Sequence, residues 1–474
     1  MSKDIIKQLD PIFKPRSIAI IGASSVPTKW GYRKLSQPIN SGFKGPIYPV
    51  NPQEDTILGL TSYPSILNTP GDVDLAVIVI PAAEVPQAMV ECVQKRVKGA
   101  IIISGGFSET GDEGKILQDR VIEIAKKGNI RVVGPNVIGI WSSAASMSLS
   151  SNQPLTAGNI AFISQSGTFG AHLAARAIEK GYGLSKFISI GNQADLTAAD
   201  YIEYLGDDPD TKAIALYLEG IANGRRLFEV SREVIKRKPI VIYKAGRTSA
   251  GAKAALSHTA SLSGTEAVFE AMRKQVGMIR VENPMQVFDI AQALIHAPMP
   301  SGKRIAIIGT GGQCVVAADT AALHGLEIPK FSDELISKLK TFLPRHAPSP
   351  INPVDWAGGI RTMLYEAQIV DLIAQQDYID GIISRPPLPG FDKNTSEDQA
   401  KYELTSAEIL AAIPEKYGKP LIIMRPESTS AGIRDILRKY NIPYFDDPDE
   451  CARAMSAIMS YAETRRAIKT DEPD

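Results

Sequence analysis

Ser17-Ile-Ala-Ile-Ile-Gly22-Ala23-Ser24-Ser25-Val-Pro-Thr-Lys29-Trp30-Gly31 sets the architecture. A β-branched run passes through a turn of small residues and enters a stretch of helical spacing, the sequence form of a strand, a tight turn and a helix. The same form recurs downstream. Apolar runs at Ser17–Gly22, Ile47–Asn51, Asp74–Ile80, Gly99–Ser104 and Ile130–Gly134 are separated by helix-length segments at Trp30–Ser41, Glu84–Arg96 and Asp112–Lys127. Near-continuous Val/Ile runs alternating with helices imply parallel strands covered on both faces, hence a doubly wound sheet.

Beyond it, the polar stretch Ser142–Asn159 reads as a linker, after which strands are expected at Ile160–Ser164, Lys186–Ile190, Ala213–Leu218 and Pro239–Lys244. A second break at Ala297–Lys303 precedes a third series at Arg304–Gly309, Gly381–Arg385 and Pro420–Arg425. The fold class expected is α/β, with three consecutive Rossmann-like or flavodoxin-like units built on parallel sheets. Their boundaries fall at 1–145, 146–299 and 300–465, with a charged, fraying tail over 466–474. At 474 residues the chain suits three units of roughly 150 residues each.

Lys+Arg and Asp+Glu both number 52, so no basic excess draws the chain to nucleic acid or an anionic membrane. Cys92, Cys314 and Cys451 are far apart, in neither a disulfide nor a zinc spacing, so no metal is expected in this chain. The charged start lacks an apolar signal core, and no apolar run approaches the ~20 residues of a membrane helix. A cytoplasmic location is expected.

In parallel α/β sheets, ligands bind beyond the carboxyl ends of the strands, where helix N-termini present free N–H groups. In Gly22-Ala23-Ser24, small residues let a phosphate approach the backbone, and Lys29 adds a charge. The fingerprint G-x-G-x-x-G is missing, because Ser24 stands at its second glycine, and Val50-Asn51-Pro52 lacks the acidic residue that holds a ribose. NAD is disfavoured, while another adenine-nucleotide carrier is not, and a strand–helix turn without a ligand is the plainer alternative. Similar turns follow at Gln165-Ser166-Gly167-Thr168 and at Gly309-Thr310-Gly311-Gly312-Gln313. No P-loop motif is present, so two such helix N-termini suggest a shared anion bound by other means.

Of five histidines, His172, His296, His324 and His346 fit structural or exposed positions. His258 differs, lying in Gly246–Gly264 among Gly, Ala, Ser and Thr with no amphipathic period, which reads as a loop that is mobile or shaped by something it binds, although a lone histidine in such a loop is most often without a role. The strand Ala213–Leu218 ends in Glu219, and a carboxylate there can fix one imidazole nitrogen and leave the other nucleophilic. An exposed loop carboxylate is the plainer reading of Glu219.

Together these strings resemble the alpha subunit of the nucleoside-diphosphate-forming acyl-CoA synthetases, of the archaeal ADP-forming acetyl-CoA synthetase type within the succinyl-CoA synthetase superfamily. The resemblance runs along the chain through Ile21-Gly22-Ala23-Ser24, Tyr48-Pro-Val-Asn51-Pro52, Ile80-Pro81-Ala82, Ile103-Ser104-Gly-Gly106-Phe107 and Gly134-Pro-Asn136. It continues through Ile163-Ser-Gln-Ser-Gly-Thr168, Leu218-Glu219-Gly220, Gly246-Arg-Thr248, Ser257-His258-Thr-Ala260 and Asn352-Pro-Val-Asp355. Val137 departs from it, where relatives often carry cysteine.

The resemblance implies a ligase interconverting acyl-CoA, ADP and phosphate with acid, CoA and ATP. It implies an acyl phosphate intermediate and a phosphohistidine on His258, with Glu219 as its partner carboxylate. Gly22, Ala23, Ser24, Lys29, Asn51, Ile80, Pro81, Ile103 and Ser104 would bind CoA. Ser166, Gly167, Thr168, Gly311, Gly312 and Gln313 would stabilise the phosphoryl group. ADP or ATP with Mg²⁺ would sit mainly on a beta subunit bearing an ATP-grasp domain, in an α₂β₂ heterotetramer acting on a small carboxylic acid. The alternative is a CoA-binding regulatory scaffold of the same architecture with its histidine chemistry unused.

Overall fold

The computed structural model describes residues 3–150, 156–251, 253–254, 265–357, 363–385, 397–424 and 430–471. The chain divides into two compact units, Met1–Ala291 and Gln292–Asp474.

The first unit holds two sheets. In the first, the strands lie in the order Ile47–Val50, Ile18–Ile21, Leu75–Ile78, Gly99–Ile102 and Arg131–Val133, all parallel. Every residue of the three central strands is buried, as the unbroken apolar runs require of a sheet covered on both faces. The connection reverses direction between Ile18–Ile21 and Leu75–Ile78, which opens a crevice at their carboxyl ends.

The second sheet has the order Ile279–Arg280, Ile240–Lys244, Ala213–Leu218, Ala157–Ser164, Leu184–Ser189, Ile140–Ser142 and Met147–Ser148. Its first five strands are parallel and the last two antiparallel. Here the reversal lies between Ala157–Ser164 and Ala213–Leu218. The second unit carries the third sheet, ordered Val354–Asp355, Ile305–Gly309, Gly381–Ser384, Leu421–Met424 and Tyr444–Phe445 and wholly parallel. Its reversal falls between Ile305–Gly309 and Gly381–Ser384.

The fold class is therefore α/β on three mostly parallel sheets. Three details differ from the sequence reading. The expected linker Ser142–Asn159 instead contributes the edge hairpin Ile140–Ser142 and Met147–Ser148 and the start of the central strand at Ala157. Small polar residues fit there because edge pairing buries Ser142 and Ser148. The expected tail from 466 belongs instead to the helix Pro448–Asp471, which Lys303 ties down through Glu463 and Arg466 through the Pro300 carbonyl. Within the expected loop at 246–264, residues 249–251 and 253–254 are helical, since Ala and Lys favour a helix without any amphipathic period and the Thr248 hydroxyl accepts the Gly251 N–H at 3.1 Å.

The amino ends of the first and third sheets share one device. The Asp74 carboxylate accepts the Arg16 backbone N–H (2.9 Å) and its Nε (3.0 Å), and Asp380 does the same for Arg304 (2.9 Å to each). Lys34 joins the first two sheets: fully buried, its Nζ donates to the Ile138 and Leu149 carbonyls (2.7 Å each) and to Gln37 (3.1 Å). All three cysteines are free and buried, and burial pushes the Cys92 and Cys314 thiols up to about 12. Among the described residues, no helix is long and apolar enough to cross a membrane.

Candidate functional site

At the first reversal a cavity of about 860 Å³ is lined by Gly22, Ala23, Ser24, Lys29, Asn51, Ile80 and Pro81, among others. Gly22 adopts φ +89°, and a Cβ there would lie 2.5 Å from the Val79 carbonyl oxygen, so only glycine lets these strand ends meet. A Cβ on Gly31 would lie 2.0 Å from the Gly22 carbonyl oxygen, which seats the first turn of the helix Trp30–Asn40 directly on this loop. Asn51 braces the loop, its Nδ2 donating to the Ala23 carbonyl at 2.8 Å. Loop N–H groups, a helix N-terminus and Lys29 together suit this end of the cavity to an anion.

A second cavity of about 510 Å³ includes Ile103, Ser104, Ser166, Gly167 and Thr168 in its lining. Trp30, Val79 and Ile80 belong to both cavities. Twelve of the expected site residues therefore line two adjoining cavities in the first unit. Ser166 precedes the helix Gly167–Glu179, whose opening N–H groups have no side-chain cap. The Ser104 hydroxyl donates to the Ile80 carbonyl and links neighbouring strand ends.

Glu219 ends the strand across the second reversal and is buried. Its backbone N–H and that of Gly220 both donate to the Gln165 side-chain oxygen, at 2.8 and 2.9 Å. Lys244 donates to the Glu219 carbonyl at 2.7 Å, and burial lowers this amine to about 8. Burial first, then the Glu219 carboxylate, hold the hydrogen-bonded Tyr217 phenol above its ordinary range. Gln165 also lines the second cavity, so the Glu219 strand end is tied to that cavity through one side chain. His258 lies outside the described residues.

Gly311, Gly312 and Gln313 lie in the second unit, at the start of the helix Gly312–Leu323. Gly311 has φ +50°, and Asp355 accepts its N–H at 2.9 Å. Across the third reversal the buried Arg385 donates to the Thr310 hydroxyl at 2.6 Å and is paired with Glu366 at 2.5 Å.

Sequence reasoning missed Gln165, Asn192, Glu109 and Trp30 as site residues. Asn192 lines the second cavity and donates to Glu109 at 2.6 Å. Burial pushes the Glu109 carboxyl up, but hydrogen bonds from Asn192 and Gly106 outweigh it and hold the group below its ordinary range. Gln165 and Trp30 lie within the quoted turns, but no local signal gives any of the four its role, and the contacts of Gln165 and Asn192 span 54 and 83 residues. Among the described residues no group of three or more His, Cys, Asp or Glu could hold a metal.

A glycine turn and a second helix N-terminus, at adjoining cavities beside the reversals of two parallel sheets, suit a long ligand that carries phosphate. Residues 16–142 match the family model of a CoA binding domain, and residues 157–294 that of the succinyl-CoA ligase-like flavodoxin domain. The acetate–CoA ligase [ADP-forming] II subunit alpha of Pyrococcus furiosus is 39% identical, over 96% of this chain and 98% of that one. The 4-hydroxybutyrate–CoA ligase [ADP-forming] of Nitrosopumilus maritimus is 32% identical over 96% of this chain and 64% of its own length. Among solved structures, the acetyl-coenzyme A synthetase 1 of Ca. Korarchaeum cryptofilum, in complex with phosphate and ADP, superposes with a TM-score of 0.84. It is 32% identical over 98% of this chain and 99% of that one. The chain belongs to the alpha-subunit family of the ADP-forming acetate–CoA ligases, which are acid–thiol ligases.

Proposed function

We propose that this chain carries the CoA site and the phosphoryl-relay histidine of a reversible ADP-forming acyl-CoA synthetase. The reading is supported above all by Gln165, which lines the second cavity and fixes the end of the strand that bears Glu219. CoA lies with its phosphates at Gly22–Ser24 and Lys29 and its thiol end toward Ser104 and Ser166. Inorganic phosphate attacks the acyl carbonyl of the bound thioester, forming a C–O bond and releasing CoA as the thiol. His258 then attacks the phosphorus of the acyl phosphate, forming an N–P bond and releasing the carboxylate. Glu219 holds the other imidazole nitrogen and balances the charge that develops on the ring. The helix N-terminus at Ser166–Thr168 stabilises the phosphoryl dianion, and the second unit offers an anion-binding turn of the same kind at Gly311–Gln313.

The phosphoryl group passes to ADP with Mg²⁺ on a beta subunit, which we assign an ATP-grasp domain within an α₂β₂ assembly in the cytoplasm. Division of labour follows the boundaries 1–145, 146–299 and 300–465. The test is intact-mass analysis of the full chain after incubation with acetyl phosphate and Mg²⁺. One acid-labile phosphoryl addition, absent from His258→Ala, is expected. No addition with acetyl phosphate or with larger acyl phosphates would favour the CoA-binding scaffold instead.

A further inference from the structure

Three residues wall both cavities, and of these Trp30 alone is exposed, at 50%. An exposed indole on a cavity wall offers a flat amphipathic face to a ligand. This ring is nevertheless held in place. The contact of Gly31 with the Gly22 carbonyl fixes the backbone beside it. The Arg33 guanidinium and the Lys34 ammonium lie 5.6 and 5.2 Å from the ring centroid, and buried carbonyls immobilise Lys34 in turn. A rigid indole face thus stands between a phosphate-binding cavity and the cavity beside Ser166.

We infer that Trp30 is a positioning residue that threads the pantetheine arm of CoA from the first cavity into the second. The inference rests on the CoA reading above. The arm alternates methylenes, a gem-dimethyl group and two amides, and a flat amphipathic ring offers such a chain contact area without losing flexibility of its own. Trp30 reaches the second cavity as well, which Gly22, Ser24 and Lys29 do not, so its role falls on the arm rather than on the nucleotide.

The chain supplies its own probe. It has three tryptophans, of which Trp141 and Trp356 are buried at 5% and 0% exposure, so a fluorescence change at the cavity wall reports Trp30. The full chain, Trp30→Ala and Trp30→Phe are titrated by calorimetry with CoA and with the adenosine bisphosphate that forms its nucleotide half. Trp30→Ala is expected to weaken CoA about tenfold and to leave the bisphosphate within about twofold, with Trp30→Phe recovering most of the loss. Wild-type indole emission is expected to shift with CoA but not with the bisphosphate, and the shift to vanish in Trp30→Phe. Equal weakening of both ligands, or unchanged CoA affinity in Trp30→Ala, overturns the threading role while leaving CoA binding intact. A wild-type chain that binds neither ligand overturns the CoA reading itself.

Discussion

The side-chain oxygen of Gln165 accepts the backbone N–H of Glu219 at 2.8 Å, joining the ends of two strands that flank the reversal of the second sheet. Removing that acceptor leaves two buried N–H groups unpaired, at about 1–3 kcal/mol each. Gln165→Leu is expected to destabilise the chain by about 2 kcal/mol, read by urea unfolding, and to slow phosphorylation by acyl phosphate. Wild-type stability in this variant would show that water or a neighbour replaces the amide.

Glu219→Gln keeps the shape of the side chain and removes its charge. Single-turnover phosphorylation is expected to fall by roughly a hundredfold or more, the usual range for a group engaged in proton management. CoA affinity should stay unchanged in the same calorimetric experiment. An unaltered rate would leave Glu219 as a structural carboxylate.

At Gly31, an added methyl group would meet the Gly22 carbonyl oxygen at 2.0 Å, and backbone cannot yield as a side chain can. Gly31→Ala is expected to displace the phosphate loop and raise the KM for CoA by about tenfold or more, with a smaller change in kcat. Measuring KM for CoA and for the acyl phosphate in parallel separates local damage from general unfolding.

Asp74 and Asp380 contribute to the acid response of the fold. Burial pushes each carboxyl up, but the paired cations, Arg16 with Lys98 and Arg304, outweigh it and hold both below the ordinary carboxylate range. Between the folded and unfolded pKa values the unfolded chain binds more protons. The stability these groups supply is therefore complete above about 3.9 and is lost as the pH falls through the depressed folded values. The wild type should lose stability steeply below about pH 4, whereas Asp74→Asn and Asp380→Asn start less stable at neutral pH and decline less. Urea midpoints across that range decide it, and parallel acid slopes in all three would acquit the pair.

Strand positions were legible because an apolar strand buried on both faces leaves a continuous run, as in Leu75–Ile78. The strand-to-helix turns were legible because Gly22 and Gly167 sit where a strand gives way to a helix. Ile140–Ser142 and Met147–Ser148 were not, since edge strands made partly of serine lack that run. Gln165 could be read as part of a turn but not as the brace of Glu219, because that contact depends on sheet order between residues 54 apart. Trp30 looked like an ordinary helix start, and only the shared cavity wall gives it a role.

The three buried cysteines have a redox consequence. Thiolate is the form that attacks disulfides, and the Cys92 and Cys314 thiols, raised to about 12 by burial, are almost wholly protonated at neutral pH. Cys451 is pushed further in the same direction. A chain of a CoA-ligase family thus holds its own three sulfhydryls out of reach. Oxidised CoA finds no partner here for a mixed disulfide, and a cysteine engineered on the surface would be the sole position that alkylating labels reach in the native fold.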